Sequence, residues 1–173
     1  DLLMMKANPD LHPEISRQLR NVLFPGDSIL DLGAGQGALS LRLQDDGFSV
    51  FAVDRDPENF LAKSVPFEQI DFNSPSSVDH FVMKNSNRFD AVIGMEVIEH
   101  VENPWDYVRL LQKLVKPGGF VFVTTPNVES WICRWNYLVN GRLSHFEEID
   151  YLTSGHINPV PPWELNLIFR ELR

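Results

Sequence analysis

Between Ser28 and Asn127, short and nearly continuous apolar runs alternate with segments whose apolar side chains recur at helical spacing. An unbroken apolar run suits a strand covered on both faces, and helices between such runs define an α/β arrangement around a parallel sheet. The predicted strands are Ser28 to Leu32, Phe48 to Val53, Phe67 to Ile70, Phe89 to Met95 and Gly119 to Thr125. Leu39 and Leu43 share a helical face after a glycine-rich turn, while Tyr107, Leu110, Leu111 and Leu114 keep the i, i+3, i+4, i+7 pattern. That second helix is predicted to start at Asn103 as cap with Pro104 at its first position, and to stop at Pro117-Gly118-Gly119.

Outside this stretch, Leu11 to Leu23 reads as a packing helix ended by Pro25-Gly26. Val128 to Val139 reads as a helix with Trp131, Trp135 and Leu138 on one face. A turn through Pro159, Pro161 and Pro162 leads to a last helix, Trp163 to Leu172. Helix-spaced aromatics usually belong to a core; a lid or apolar substrate wall, with Tyr137, is the alternative.

The 173 residues are 43% apolar and 23% charged, which fits one globular domain large enough to fold without a disulfide or metal. The single Cys133 makes no intrachain bridge, in keeping with a reducing cytoplasm. A net charge of -9 repels phosphate backbones and anionic bilayers, so nucleic acid is a disfavoured partner. No apolar run approaches the roughly 20 residues of a membrane span, and no leader pattern is present, so a soluble, cytoplasmic protein is expected. The chain begins at Asp1 without Met, which reads as a fragment.

Candidate chemistry starts at Asp31-Leu32-Gly33-Ala34-Gly35-Gln36-Gly37-Ala38, a strand end, a tight turn and a helix start where a ligand can reach backbone amides. The turn also reads as G-x-G-x-x-A, with Asp54 following at the distance of a dinucleotide site. Asp31 argues against that: its carboxylate would face a pyrophosphate in a partly desolvated pocket. S-adenosylmethionine (SAM) has no phosphate, and its ammonium and sulfonium are favoured by a carboxylate. The plain alternative is an Asp that caps the turn without a ligand.

Asp54 closes the second strand, where a carboxylate can accept from both ribose hydroxyls; opening a turn toward Pro57 is the ordinary use. Asp71 follows the third strand, placed to accept from an adenine amino group with Phe72 flanking the ring; an Asx turn is the competing role. All three acids lie at carboxyl ends of strands, where open α/β sheets bind ligands.

The ordered set of Asp31-x-Gly33-x-Gly35-x-Gly37, Asp54, Asp71-Phe72, Phe89-Asp90-Ala91-Val92-Ile93, Glu96-Val97-Ile98-Glu99-His100-Val101 and Leu114-Val115-Lys116-Pro117-Gly118-Gly119 resembles the motifs of class I SAM-dependent methyltransferases. The Glu96 to Val101 stretch is similar to the branch containing ubiquinone-pathway O-methyltransferases. The resemblance implies a Rossmann-like sheet with helices on both faces and SAM as cofactor. The cofactor set is then Asp31, Gly33, Ala34, Gly35, Gly37, Asp54, Arg55, Asp71, Phe72, Met95 and Glu96, with the next residues toward the substrate. A complete core of that family has two more strands after the last helix; the chain is expected to lack them.

His100 is the expected general base, with Glu99 beside it, because an imidazole titrates near neutrality; a packed, locally bonded histidine is the equal alternative. Glu96, Glu99 and His100 form another candidate set, for a divalent metal, completed by His145 or His156 as in small-RNA 2′-O-methyltransferases with a similar E-x-x-E-H. Ser154-Gly155-His156-Ile157-Asn158-Pro159 resembles a substrate-side segment, while Arg134 and Arg142 fit a solvated face better than a substrate anchor. The expected function is SAM-dependent methylation of a small, hydroxylated metabolite. The rivals are an RNA 2′-O-methyltransferase, a non-catalytic SAM-binding scaffold and a dinucleotide oxidoreductase.

Overall fold

The computed structural model describes residues 10–172. Five strands, β1 (Ser28–Leu32), β2 (Ser49–Asp54), β3 (Phe67–Gln69), β4 (Phe89–Met95) and β5 (Val115–Thr124), form one parallel sheet in the order β3-β2-β1-β4-β5. The order reverses beside β1, because the chain moves outward through β2 and β3 and returns to the other side of β1 as β4. Such a switch point leaves a crevice at the carboxyl ends of the strands. Register brings the acids to that edge, with Leu32 opposite Val53 and Asp54 opposite Gln69.

Alternate strand residues feed two cores, as the period of two requires. Ile29, Val50, Ala52 and Ile93 pack with Ile15 and Leu19 of α1 (Leu11–Arg20) and with Leu39 and Leu43 of α2 (Ala38–Asp45). Leu30, Val53 and Val92 pack on the other face with Phe81 of α3 (Pro75–Asn85), Leu111 of α4 (Pro104–Leu114) and Ile168 of α7 (Pro162–Glu171). Full burial of one such aliphatic side chain contributes about 1.5–3 kcal/mol. Helices therefore cover both faces, as the apolar pattern predicts.

The start of α4 agrees with its sequence signals: Asn103 Oδ1 accepts from the Trp105 and Asp106 amides at 3.0 and 3.3 Å, with Pro104 in the first turn. Its end differs. The helix stops at Leu114, Val115 already pairs with Phe89, and Pro117-Gly118-Gly119 forms a bulge before Phe120 pairs with Ala91. A Cβ on Gly119 would lie 2.6 Å from the Asp90 carbonyl oxygen, so these glycines serve sheet closure rather than the helix stop.

α1 ends at Arg20, short of Leu23, since turns and the extended preference of the residue before Pro25 intervene. α5 (Trp131–Asn140) begins three residues later than expected, where Ser130 Oγ accepts from the Cys133 amide at 3.2 Å. Its apolar stripe overturns the core expectation: Trp131, Ile132, Leu138 and Val139 are exposed and Cys133 is the buried residue. α3 and α6 (Glu148–Ser154) have no named counterpart among the predicted helices. Among the described residues no helix is long and apolar enough to cross a membrane.

Candidate active site

β1 runs into the glycine turn, and the Gly33 and Ala34 amides donate to the Val53 carbonyl at 2.8 and 3.0 Å. Gly35 has φ +54, and a Cβ built there meets nothing within 4 Å, so its backbone borders open space that a ligand can enter. Gly37 differs: it caps α2 at φ +85, and a Cβ would strike Ala62 at 2.5 Å and Phe60 at 2.7 Å.

The space over the turn has two lobes. The larger, about 660 Å³, is bordered by Asp31, Ala34, Met95, Thr124 and Thr125, with His145 and His156 contributed from beyond the sheet. The smaller, about 300 Å³, is bordered by Asp54, Arg55, Asp71 and Phe72. Gly33, Gly35, Glu96 and His100 border both, so they form the wall shared by the two. Every residue predicted for the cofactor or the chemistry lies on these lobes except Gly37 and Glu99, the first packed under the loop and the second buried behind it.

Asp31 is 2% exposed and accepts from Ser40 Oγ at 2.5 Å. Burial pushes its carboxyl up to about 6, Ser40 opposes the shift, and the Asp54 charge adds to it. Asp54 ties the loop to β2, because Oδ2 accepts from the Gly35 amide at 2.8 Å and Oδ1 from the Asp56 amide at 3.0 Å. Each oxygen keeps a further lone pair. The turn-opening role and a place on the cleft thus coexist. The same holds for Asp71, whose Oδ1 accepts from the Asn73 amide at 3.0 Å as an Asx turn while the residue borders the smaller lobe.

At the end of β4 the chain bends sharply. Glu96 has φ +53, a region rarely used by residues with a side chain, and is pinned by β5: its amide donates to the Thr124 carbonyl at 3.2 Å, and Thr124 Oγ1 donates to Glu96 Oε1 at 2.9 Å. The bend delivers a 3₁₀ turn, Ile98–His100. The Glu99 carbonyl receives the Ile157 and Asn158 amides at 2.9 and 3.0 Å, and Asn158 Nδ2 donates to the Val101 carbonyl. Residues 155–158 are thereby docked against the turn.

His100 Nδ1 meets the Gly155 carbonyl oxygen at 3.1 Å. A carbonyl only accepts, so Nδ1 carries the proton and the neutral ring keeps its lone pair at Nε2. Burial lowers the imidazole's proton affinity, against the pull of the Gly155 carbonyl. His156 is arranged the same way, with Nδ1 at 2.7 Å from the His145 carbonyl and its ring 4.9 Å from that of His100.

Glu99 is fully buried, and neither its carboxyl oxygens nor the nearby Thr125 Oγ1 makes a regular hydrogen bond among the described residues. Burial pushes this carboxyl up to about 8, with the Glu96 charge adding to the shift and the residue's own backbone amide and the Thr125 hydroxyl opposing it. Ligand atoms of Glu99, His100 and His156 all lie within 4.8 Å of one another. The predicted metal set thus changes membership: Glu96 is held by Thr124 instead, and His156 supplies the distant histidine, with His145 giving only its carbonyl to that ring. Arg134 and Arg142 sit on the solvated face, paired with Glu129 and Glu147.

Several bordering residues escape a reading of the sequence. Thr124 ends β5 and Thr125 follows it, and the strand-end rule that singles out the three acids would have reached them. Trp131, Trp135, Tyr137 and Leu138 border neither lobe; the part of the segment beyond the sheet that does so carries His145, Asp150, Ser154 and His156.

Residues 6–172 match the family described as a methyltransferase domain. The ubiquinone biosynthesis O-methyltransferase of Caulobacter vibrioides is 37% identical over 107 residues, 60% of this chain and 42% of that protein. The protein of the same name from Cereibacter sphaeroides is 33% identical over 138 residues, 70% of this chain and 55% of its own length. The chain spans about half the length of these curated relatives. Among solved structures, a SAM-dependent methyltransferase from Archaeoglobus fulgidus superposes with a TM-score of 0.67 at 18% identity, over 93% of this chain and 68% of its own. One from Methanosarcina mazei gives 0.62 at 19% identity, over 98% and 85%. At such identities the superpositions speak for a shared fold, while the family match, the loop geometry and the strand-end acids together assign the chain: it belongs to the class I SAM-dependent methyltransferases.

Proposed function

We propose that this chain methylates a hydroxyl group of a small metabolite in the cytoplasm. SAM, the cofactor of the family, supplies a methyl group made electrophilic by its sulfonium. The residues fit it. The open approach at Gly35, the buried acid Asp31 in the larger lobe and Asp54 with Asp71 in the smaller suit an amino-acid end and a nucleoside end respectively.

The observation that carries the reading is His100, which borders both lobes and holds its proton on Nδ1 toward Gly155. Its Nε2 lone pair can take the proton of an acceptor hydroxyl as the methyl is transferred. Glu99 serves beneath it: its carbonyl holds residues 157 and 158, which keeps Gly155 against the imidazole. Residues 145–156 provide the acceptor side, and alignment in such a walled cleft can lower the barrier by about 7–11 kcal/mol. The names of the two curated relatives, both O-methyltransferases, support oxygen as the accepting atom. Among the described residues no Lys or Arg borders the larger lobe, which supports a small acceptor over a phosphate backbone.

A second reading has its own observation, the orphaned carboxyl of Glu99 within reach of His100 and His156. These three would hold a divalent cation, which would lower the pKa of an acceptor hydroxyl and replace His100 as the source of activation. Transfer of labelled methyl from SAM to simple phenols and catechols tests the first reading. Turnover that His100→Ala abolishes supports it, whereas methylation of amines alone, or none with any acceptor, overturns it.

A further inference from the structure

Four of the five histidines, His12, His100, His145 and His156, border the larger lobe. His12 stands apart from the others in the chain, in the first turn of α1 ahead of the sheet. It is 4% exposed, and its Nδ1 has no hydrogen-bond partner among the described residues. A buried polar atom left unpaired is costly, and native proteins keep few of them unless a water or ligand completes the bond. Packing alone does not call for an imidazole here, since Leu11, Ile15 and Leu19 supply the helix's apolar contacts.

The chemistry of the lobe says what Nδ1 meets. Asp31 and the first residues of α2, Ala38 and Leu39, border the same space. An amino-acid ligand presents an ammonium and a carboxylate together. Asp31 is the group suited to the ammonium. Among the described residues no Lys or Arg borders the lobe, so the groups there to meet the carboxylate are neutral donors and the free amides of the first turn of α2. Burial and the nearby Arg42 keep the His12 ring neutral, so one ring nitrogen remains a donor.

We propose that His12 Nδ1 donates to the carboxylate of the cofactor's amino-acid end, making α1 part of the binding site rather than a packing helix. This rests on the proposed use of SAM. The test compares the demethylated cofactor, S-adenosylhomocysteine, with 5′-methylthioadenosine, which lacks the amino-acid end, by calorimetry on the whole chain. His12→Phe, which fills the space without a donor, is expected to weaken S-adenosylhomocysteine about tenfold. It should leave methylthioadenosine within about twofold of wild type. His12→Asn, whose amide nitrogen stands near the place of Nδ1, should restore most of the loss. Thermal melts check folding, and His12→Leu takes the place of a Phe variant that does not fold. Equal losses for both compounds, or unchanged binding of S-adenosylhomocysteine, overturn the role of His12. A wild-type chain that binds neither compound overturns the proposed function and this inference with it.

Discussion

Ser40 Oγ donates to Asp31 Oδ2 at 2.5 Å, fixing the carboxyl that ends β1 inside a wall it shares with the glycine turn. Because burial raises this group from 3.8 to about 6, it is half protonated in mildly acidic solution, where an ordinary aspartate is fully charged. Binding of a ligand with an ammonium needs the charged form. Affinity for S-adenosylhomocysteine is therefore expected to rise from pH 5 to pH 7 and then level off, with Asp31→Asn binding weakly and without that slope. In the unliganded protein Asp31 itself should contribute the opposite trend in stability, read as the difference between wild type and Asp31→Asn. A raised carboxyl pKa means the folded state holds more protons between 3.8 and about 6, so the contribution of Asp31 to stability falls as pH rises through that window. Calorimetry and melts across this range check both signs.

Asp54 is expected to act twice, on the ligand and on the loop. Asp54→Ala removes the acceptor of the Gly35 amide along with the candidate ribose contact. Loss of affinity for S-adenosylhomocysteine of about 1–3 kcal/mol is expected, the usual effect of stranding a buried partner. Unchanged affinity would remove Asp54 from the ribose role.

The cation reading makes its own prediction. Manganese or magnesium in excess should raise the melting temperature of the wild type, since a ligand at 100 times its dissociation constant adds about 2.7 kcal/mol of stability. Glu99→Gln should cancel the rise. An equal shift in both proteins would place the ion elsewhere, and no shift in either would leave Glu99 as a buried acid.

At the bulge, Gly119→Ala would set a Cβ 2.6 Å from the Asp90 carbonyl oxygen and 2.8 Å from Val115 Cγ2. Backbone cannot yield as a flexible side chain does, so a loss of about 1–3 kcal/mol is expected in urea unfolding. Gly118→Asn is the control, because nothing lies within 4 Å of a Cβ there and asparagine tolerates its φ of +80.

The sheet was legible because its strands are apolar on both sides, so Leu30, Val53 and Val92 announce themselves without partners being known. Asn103 with Pro104 marked a helix start for an equally local reason. The bulge was harder: Pro117-Gly118-Gly119 looks the same whether it ends a helix or loops out of a strand, and only the pairing of Val115 with Phe89 decides. Spacing placed the acids at one edge, yet it set turn and ligand roles for Asp54 and Asp71 against each other, where each acid bonds a neighbouring amide and still borders the cleft. Nor could it choose His156 over His145 as the histidine beside His100, since that meeting depends on residues 157 and 158 hydrogen-bonding to Glu99 across more than fifty positions of chain. α5 misled for the opposite reason: its apolar periodicity is real, but the stripe faces outward.

The preference of the cleft for a cationic thioether nucleoside over a diphosphate is tested most directly by titrating the chain with S-adenosylhomocysteine and with NAD under one buffer. Saturable binding of the first and none of the second is the expected result. Binding of NAD in the absence of any heat from S-adenosylhomocysteine would contradict the account.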